Sequence, residues 1–134
     1  MEVKIDTKER FFVVSVTTPC LTATLAEELS QKLTPYLITD VKSSEPPGNV
    51  VLNMSVVPAI ELDGAKKLME LQQEFYEHNR SFVICEMQQN VVDTLEKEEL
   101  LEVMNVTPTE SEAWDIVQME EIERELLDNE FSDT

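Results

Sequence analysis

The sequence holds a single histidine, His78, in 134 residues. A histidine-based catalytic triad or a histidine-rich metal site is therefore not expected. Cysteine is almost as scarce. Cys20 and Cys85 make no pattern of spaced pairs, so neither a disulfide framework nor a zinc motif is indicated. Cys85 lies in an apolar run and reads as a small buried hydrophobe. Only 2 glycines occur, Gly48 and Gly64, which leaves no glycine-rich loop to cradle a phosphate. No apolar run approaches the roughly 18 residues of a membrane span. The first ten residues are charged and lack an apolar signal core, so a cytoplasmic chain with reduced thiols is expected.

Positive charge is also in short supply. Ten Lys and Arg face 28 Asp and Glu, for a formal net charge of −18. Such a surface repels phosphate backbones, whose binding rests on Lys and Arg, and it repels anionic membrane surfaces. No nucleic acid and no membrane insertion are expected. Most of this charge reads as solubilising. The segment from Glu110 to Thr134 is the exception, because it holds ten acidic residues and one basic residue, Arg124. It is either a solubilising tail or a means of steering a basic partner.

What remains is a chain that is 42% hydrophobic, enough for one ordinary core. A single domain over residues 1–127 is expected, followed by an acidic, irregular tail over 128–134. Residues 2–6 and 10–17 read as strands joined by a polar turn, hence a hairpin. Thr24 and Glu27 have the spacing of a capping box, and Leu25, Leu29, Leu33 and Leu37 form an apolar stripe, so a helix is predicted over about 24–37. Lys42–Gly48 is a loop by composition. Asn49–Met54 is nearly all apolar, as a strand buried on both faces would be. Pro58 opposes continuation of that strand. A second helix runs to about Asn79 with Gly64, Leu68, Leu71 and Phe75 along one face. A strand follows over Ser81–Met87, then a short helix with Val91 and Leu95, and a short strand about Met104–Val106. Thr109 and Glu112 suggest a second capping box. The helix it opens carries Ala113, Ile116, Met119, Ile122 and Leu126 as its expected core stripe, with Trp114 as a packing residue. The predicted fold is α/β, with a mixed, mostly parallel sheet of 4–5 strands and about four helices, in the order β-β-α-β-α-β-α-(β)-α.

This order, and the loop before the second helix, resemble the STAS domain of bacterial anti-sigma factor antagonists, which is also found attached to sulfate transporters. The family pattern is a buried strand ending in Asp, an apolar loop, and then Asp-Ser-Ser/Thr-Gly opening a helix. Val50–Ser55 is similar to that strand, Val56–Ile60 to the loop and Glu61-Leu62-Asp63-Gly64 to the signature. The departures are informative. Asn53 stands for the strand-end Asp, Glu61 for the signature Asp and Leu62 for the first hydroxyl residue. Asp63 stands for the Ser or Thr that a partner kinase phosphorylates in the family. Without a hydroxyl it cannot accept phosphate in that way.

Two readings of Asp63 follow and are compatible. At or next to the N-cap of the second helix it would accept backbone N–H groups, and with the helix dipole this is worth roughly 0.5–2 kcal/mol. As a signalling residue it would partly imitate a phosphoserine, which carries about −1.5 to −2 charge against the −1 of Asp. Gly64 would permit a close backbone approach or a tight entry to the helix, or serve only as a helix-start glycine. Lys66 and Lys67 form a solvated helix face or a patch for an acidic partner. Glu61 and Asp63 lack the further ligands of a calcium loop, so no metal and no cofactor are expected. An enzyme is not expected.

By the resemblance, this is a non-catalytic regulatory domain that binds an anti-sigma factor or a GHKL-type switch kinase. The expected contact residues are Asn53, Ser55, Pro58, Ile60, Glu61, Leu62, Asp63, Gly64, Lys66 and Lys67. One alternative is a cytosolic adaptor subunit of a membrane transport ATPase assembly. Another is a small-ligand-binding domain, for which a pocket near Asn53, Glu61 and Asp63 would be needed. The sequence leaves the oligomeric state open.

Overall fold

Strand β3 (Asn49–Val56) is the axis of the molecule, and every residue from Asn49 to Leu52 is buried. A strand covered on both faces must be apolar at consecutive positions rather than at alternate ones, and Val50-Val51-Leu52 meets that demand. Its neighbours β2 (Phe11–Thr17) and β4 (Phe82–Cys85) are built in the same way. The computed structural model describes residues 1–8, 11–37 and 48–132. The predicted Lys42–Gly48 loop lies outside these as far as Pro47.

Five strands form one sheet in the order β1-β2-β3-β4-β5, with β1 spanning Glu2–Thr7 and β5 Val106–Thr107. Strand β1 pairs antiparallel to β2, as the predicted hairpin requires, and the other pairs are parallel. Strand β5 falls just after Met104, which is buried in the core, so it begins later than expected. The four helices are α1 (Ala23–Leu33), α2 (Leu62–Glu77), α3 (Gln89–Lys97) and α4 (Glu110–Ser132).

Alternation along the strands sorts the core into two layers. Val14, Val16, Val50, Leu52, Met54, Phe82 and Ile84 face α1, α2 and α3, together with Leu29, Leu33, Leu68, Leu71, Phe75, Val91 and Leu95. Phe11, Val13, Val51, Val83 and Cys85 face α4, meeting Ala113 and Val117. Among the described residues, helix α4 alone covers this side of the sheet. Trp114 packs there against Phe11, with ring centroids 5.3 Å apart.

Three expectations are corrected. The cap of α1 is Thr22 and not Thr24. The Thr22 hydroxyl accepts from the Leu25 N–H at 3.2 Å, and α1 ends at Leu33 in a 3-10 turn, Thr34–Tyr36. The apolar stripe of α4 splits. Ala113 is buried, but Met119, Ile122 and Leu126 are 60%, 52% and 59% exposed. The face of α4 on the sheet is Ala113, Val117 and Glu121 instead, at the i, i+4, i+8 spacing of one helical face. Finally, helical backbone continues to Ser132, through the stretch expected to be irregular from Asp128. That stretch has neither Gly nor Pro to stop it. The predicted Thr109 cap is present, with its hydroxyl accepting from the Glu112 N–H at 3.2 Å.

Glu121 can be buried because the sheet supplies a partner. Asn49 Nδ2 donates to Glu121 Oε1 at 2.6 Å, and Asn49 Oδ1 accepts from the Ser81 N–H at 2.7 Å. Arg124 donates to the Ser81 hydroxyl. This network pins α4 to the starts of β3 and β4.

Candidate functional site

The segment Glu61–Gly64 sits at the C-terminal edge of the sheet, where the loops after β2 and β3 are joined. Leu21 N–H donates to the Ala59 carbonyl at 3.0 Å, and Glu61 N–H donates to the Leu21 carbonyl at 3.0 Å. These two bonds make a parallel bridge between Leu21 and Ile60. They set the starts of α1 and α2 side by side.

Gly64, in the first turn of α2, lies against this bridge. A Cβ built there would overlap the Leu21 carbonyl oxygen and stand 3.2 Å from the Leu21 and Thr22 carbonyl carbons. Of the roles open to Gly64, the structure assigns the close backbone approach. Farther along, Lys67 reaches Glu27 of α1 at 3.2 Å and Glu70 at 3.5 Å. The Glu27 carboxylate, through its hydrogen bond, and then Glu70 hold the Lys67 ammonium above its usual pKa. Lys67 is therefore engaged within the domain, whereas Lys66 is exposed.

The N-cap of α2 is Glu61, whose side chain makes no capping bond. Asp63 is the second residue of the helix and is exposed. The capping reading of Asp63 is thereby overturned, and what remains of its structural value is the helix dipole, about 0.3–1 kcal/mol. No hydrogen bond or ion pair holds its carboxylate among the described residues.

The other expected contact residues divide. Pro58, Glu61 and Ser55 are exposed, Leu62 is half-buried, and Val56 beside them is 54% exposed. Ile60 belongs to the core with Val57, so the apolar loop turns half of its side chains inward. Asn53 points to the other side of the sheet. Its Nδ2 donates to Glu110 Oε1 at 3.2 Å at the start of α4, and its Oδ1 accepts from the Ser55 N–H at 2.9 Å. Residues at the start of α3 fasten the same loop from outside, a role the sequence did not reveal. Gln88 Nε2 donates to the Ser55 carbonyl and Asn90 Nδ2 to the Pro58 carbonyl, both at 2.9 Å. The surface presented outward includes Ser55, Val56, Pro58, Glu61, Leu62, Asp63 and Lys66.

Cys85 pairs across the sheet with Asn53 and is fully buried. Burial, with Glu110 and Glu86 adding to it, pushes its thiol up to about 12, so it is no nucleophile at neutral pH. A cavity of about 420 Å³ opens elsewhere, between α3 and β5, lined by Met87, Val92, Leu101, Met104, Val106 and Pro108 among others. Asn53, Glu61 and Asp63 do not line it. Among the described residues the strand order runs 1-2-3-4-5 without reversing, so these strands form no switch-point crevice. Among the described residues no helix is long and apolar enough to cross a membrane.

Comparison with known proteins agrees with this architecture. The family model of the STAS domain matches residues 2–113, and the chain belongs to that family. No sequence among the curated proteins matches it. Solved structures do. An anti-sigma factor antagonist from Mycobacterium paratuberculosis is similar with a TM-score of 0.70 and 17% identity, covering 87% of this chain and 93% of the other. A serine-to-glutamate variant of RsbS from Moorella thermoacetica gives 0.69 and 16%, covering 88% and 96%. The murine Solute Carrier 26 family member A9 anion transporter gives 0.65 and 19%, covering 85% of this chain but only 18% of the transporter. The chain thus spans less than a fifth of that transporter's length.

Proposed function

We propose that this domain is a non-catalytic regulatory module that binds a protein partner through the start of α2, and that the partner is an anti-sigma factor or a GHKL-type switch kinase. The observation that carries this reading is Asp63. It is exposed in the first turn of α2, at the position that the resemblance matches to the family signature, and is neither a cap nor a partner in any ion pair among the described residues. A carboxylate that the fold does not need, held at the positive end of a helix, places a fixed negative charge where the family adds a phosphate. On this reading the domain stays in one signalling state. Val56, Pro58 and Leu62 supply apolar contact around it, and Lys66 supplies a cation.

The test is capture of partners from native lysate by the wild type and by Asp63→Ser, with mass spectrometry. Retention of a GHKL-type kinase or anti-sigma factor that changes at least several-fold with Asp63→Ser supports the proposal. Equal retention by both forms removes Asp63 as the control point. The substitution should cost no more than about 1 kcal/mol, since only the dipole interaction is lost, so a change in binding is not a change in folding.

The likeness to part of an anion transporter favours a second reading, in which the domain is a cytosolic adaptor of a membrane transport assembly. Retention of a transport protein by both forms would replace the first reading with this one.

A further inference from the structure

Three of the five apolar side chains that the sequence assigns to the core of α4 are on its outside. Met119, Ile122 and Leu126 are 60%, 52% and 59% exposed. At 100° per residue they fall within about 60° of one another and roughly opposite Ala113, Val117 and Glu121, which face the sheet. Helices α1, α2 and α3 all lie on the far side of the sheet, so nothing among the described residues covers this stripe. The i, i+3, i+7 spacing spans about 10 Å along the axis, the pattern by which one helix seats another.

Charge decides the occupant. The stripe is flanked by Glu112, Asp115 and Glu123, all exposed. The only basic residue of α4, Arg124, lies toward the sheet and donates to Ser81. A second copy would set acidic rim against acidic rim, on chains of net charge −18. We infer that the outward face of α4 is a docking surface for a basic amphipathic helix of a partner protein, with the partner's apolar stripe on Met119, Ile122 and Leu126 and its Lys or Arg residues on the acidic rim. This surface is separate from the one at α2 and on the opposite side of the sheet, so both can be occupied at once.

The probe is a synthetic helical peptide with Leu at i, i+3 and i+7 flanked by Lys, compared with a scrambled peptide of the same composition. Binding is read by fluorescence anisotropy, and its location by amide chemical-shift changes in the whole chain. The patterned peptide should bind at least tenfold more tightly than the scrambled one and weaken with added salt. Its shifts should concentrate on α4. The double variant Met119→Gln/Ile122→Gln should lose at least tenfold in affinity with an unchanged melting temperature. Equal binding of the two peptides, shifts centred away from α4, or unchanged affinity in the double variant would overturn the inference. So would a wild-type dimer by sedimentation that the double variant makes monomeric, or a lowered melting temperature, since either would mean that the face is already covered.

Discussion

Gly64 and Leu21 are packed backbone to backbone, the α-carbon of one against the carbonyl of the other. The Leu21 carbonyl cannot swing away, because it accepts the Glu61 N–H and its own N–H is held by Ala59. Two effects therefore compete in Gly64→Ala. Helix propensity favours Ala by roughly 1 kcal/mol. Overpacking against fixed backbone costs about 1–3 kcal/mol or more. The second should prevail, so Gly64→Ala is expected to destabilise the domain, with a lower urea midpoint at unchanged slope. A stabilised variant would show that α1 and α2 separate freely, and the shared platform at their starts would be lost.

Thr22 and Thr24 differ by two positions and should differ in effect. Thr22 accepts the Leu25 N–H, whereas Thr24 is exposed inside the first turn of α1. Thr22→Ala should cost about 1 kcal/mol, and Thr24→Ala should be neutral or slightly stabilising through helix propensity. Thermal melts of the two variants decide it. The reverse ranking would restore the cap that the sequence alone suggests.

That two-residue shift shows where local reading ends. The Thr24-x-x-Glu27 spacing is a genuine capping pattern, but Leu21 is fixed from outside by the loop after β3, and the helix must start directly after it. The same holds for α4. Its larger apolar side chains, Met119, Ile122 and Leu126, outweigh Ala113 and Val117 in any hydrophobic pattern. The sheet nevertheless takes the small pair, and it accepts Glu121 because Asn49, 72 positions away in sequence, is there to bond it. The strands were legible because burial on both faces demands unbroken apolar runs, which β2, β3 and β4 have. At the site, the close approach at Gly64 was among the roles legible in the sequence. The inward turn of Ile60, the orientation of Asn53 toward Glu110, and the fastening of the loop by Gln88 and Asn90 were not, since each depends on a partner supplied by a distant element.

The bond between Asn49 and Glu121 gives a pH-dependent test. Asn49→Ala removes the acceptor of the buried Ser81 N–H and a donor to Glu121, and should cost about 2–3 kcal/mol. Asn49→Asp keeps the shape but sets a second carboxylate where the amide lies 2.6 Å from Glu121. Two carboxylates so close cannot both be ionised. Asn49→Asp should therefore be the less stable variant at pH 7 and should recover relative to wild type near pH 4. Urea titrations at the two pH values check this. A deficit independent of pH would mean that Glu121 is not held at that distance.

Cys85 should remain chemically silent until the domain unfolds. Its thiol is pushed up to about 12 by burial first, then by Glu110 and Glu86, whereas an unfolded cysteine titrates near 8.5. The folded state therefore holds the proton more tightly than the unfolded one. By linkage, the associated stability is complete below about pH 8.5 and is lost progressively as pH rises toward 12. Tyr76 acts in the same direction, since burial, aided by Glu120, raises its hydroxyl as well. The contribution of Cys85 is isolated by subtraction. The stability of wild type minus that of Cys85→Ala should shrink between pH 8 and pH 10.5, because the variant retains Tyr76 but lacks the thiol. Thiol labelling gives an independent reading at pH 8. Cys20, which is only partly buried, should react in native protein, and Cys85 should react only after urea is added. Two thiols reacting together in native protein would mean that α4 opens readily from the sheet, because α4 and the strands are what cover Cys85.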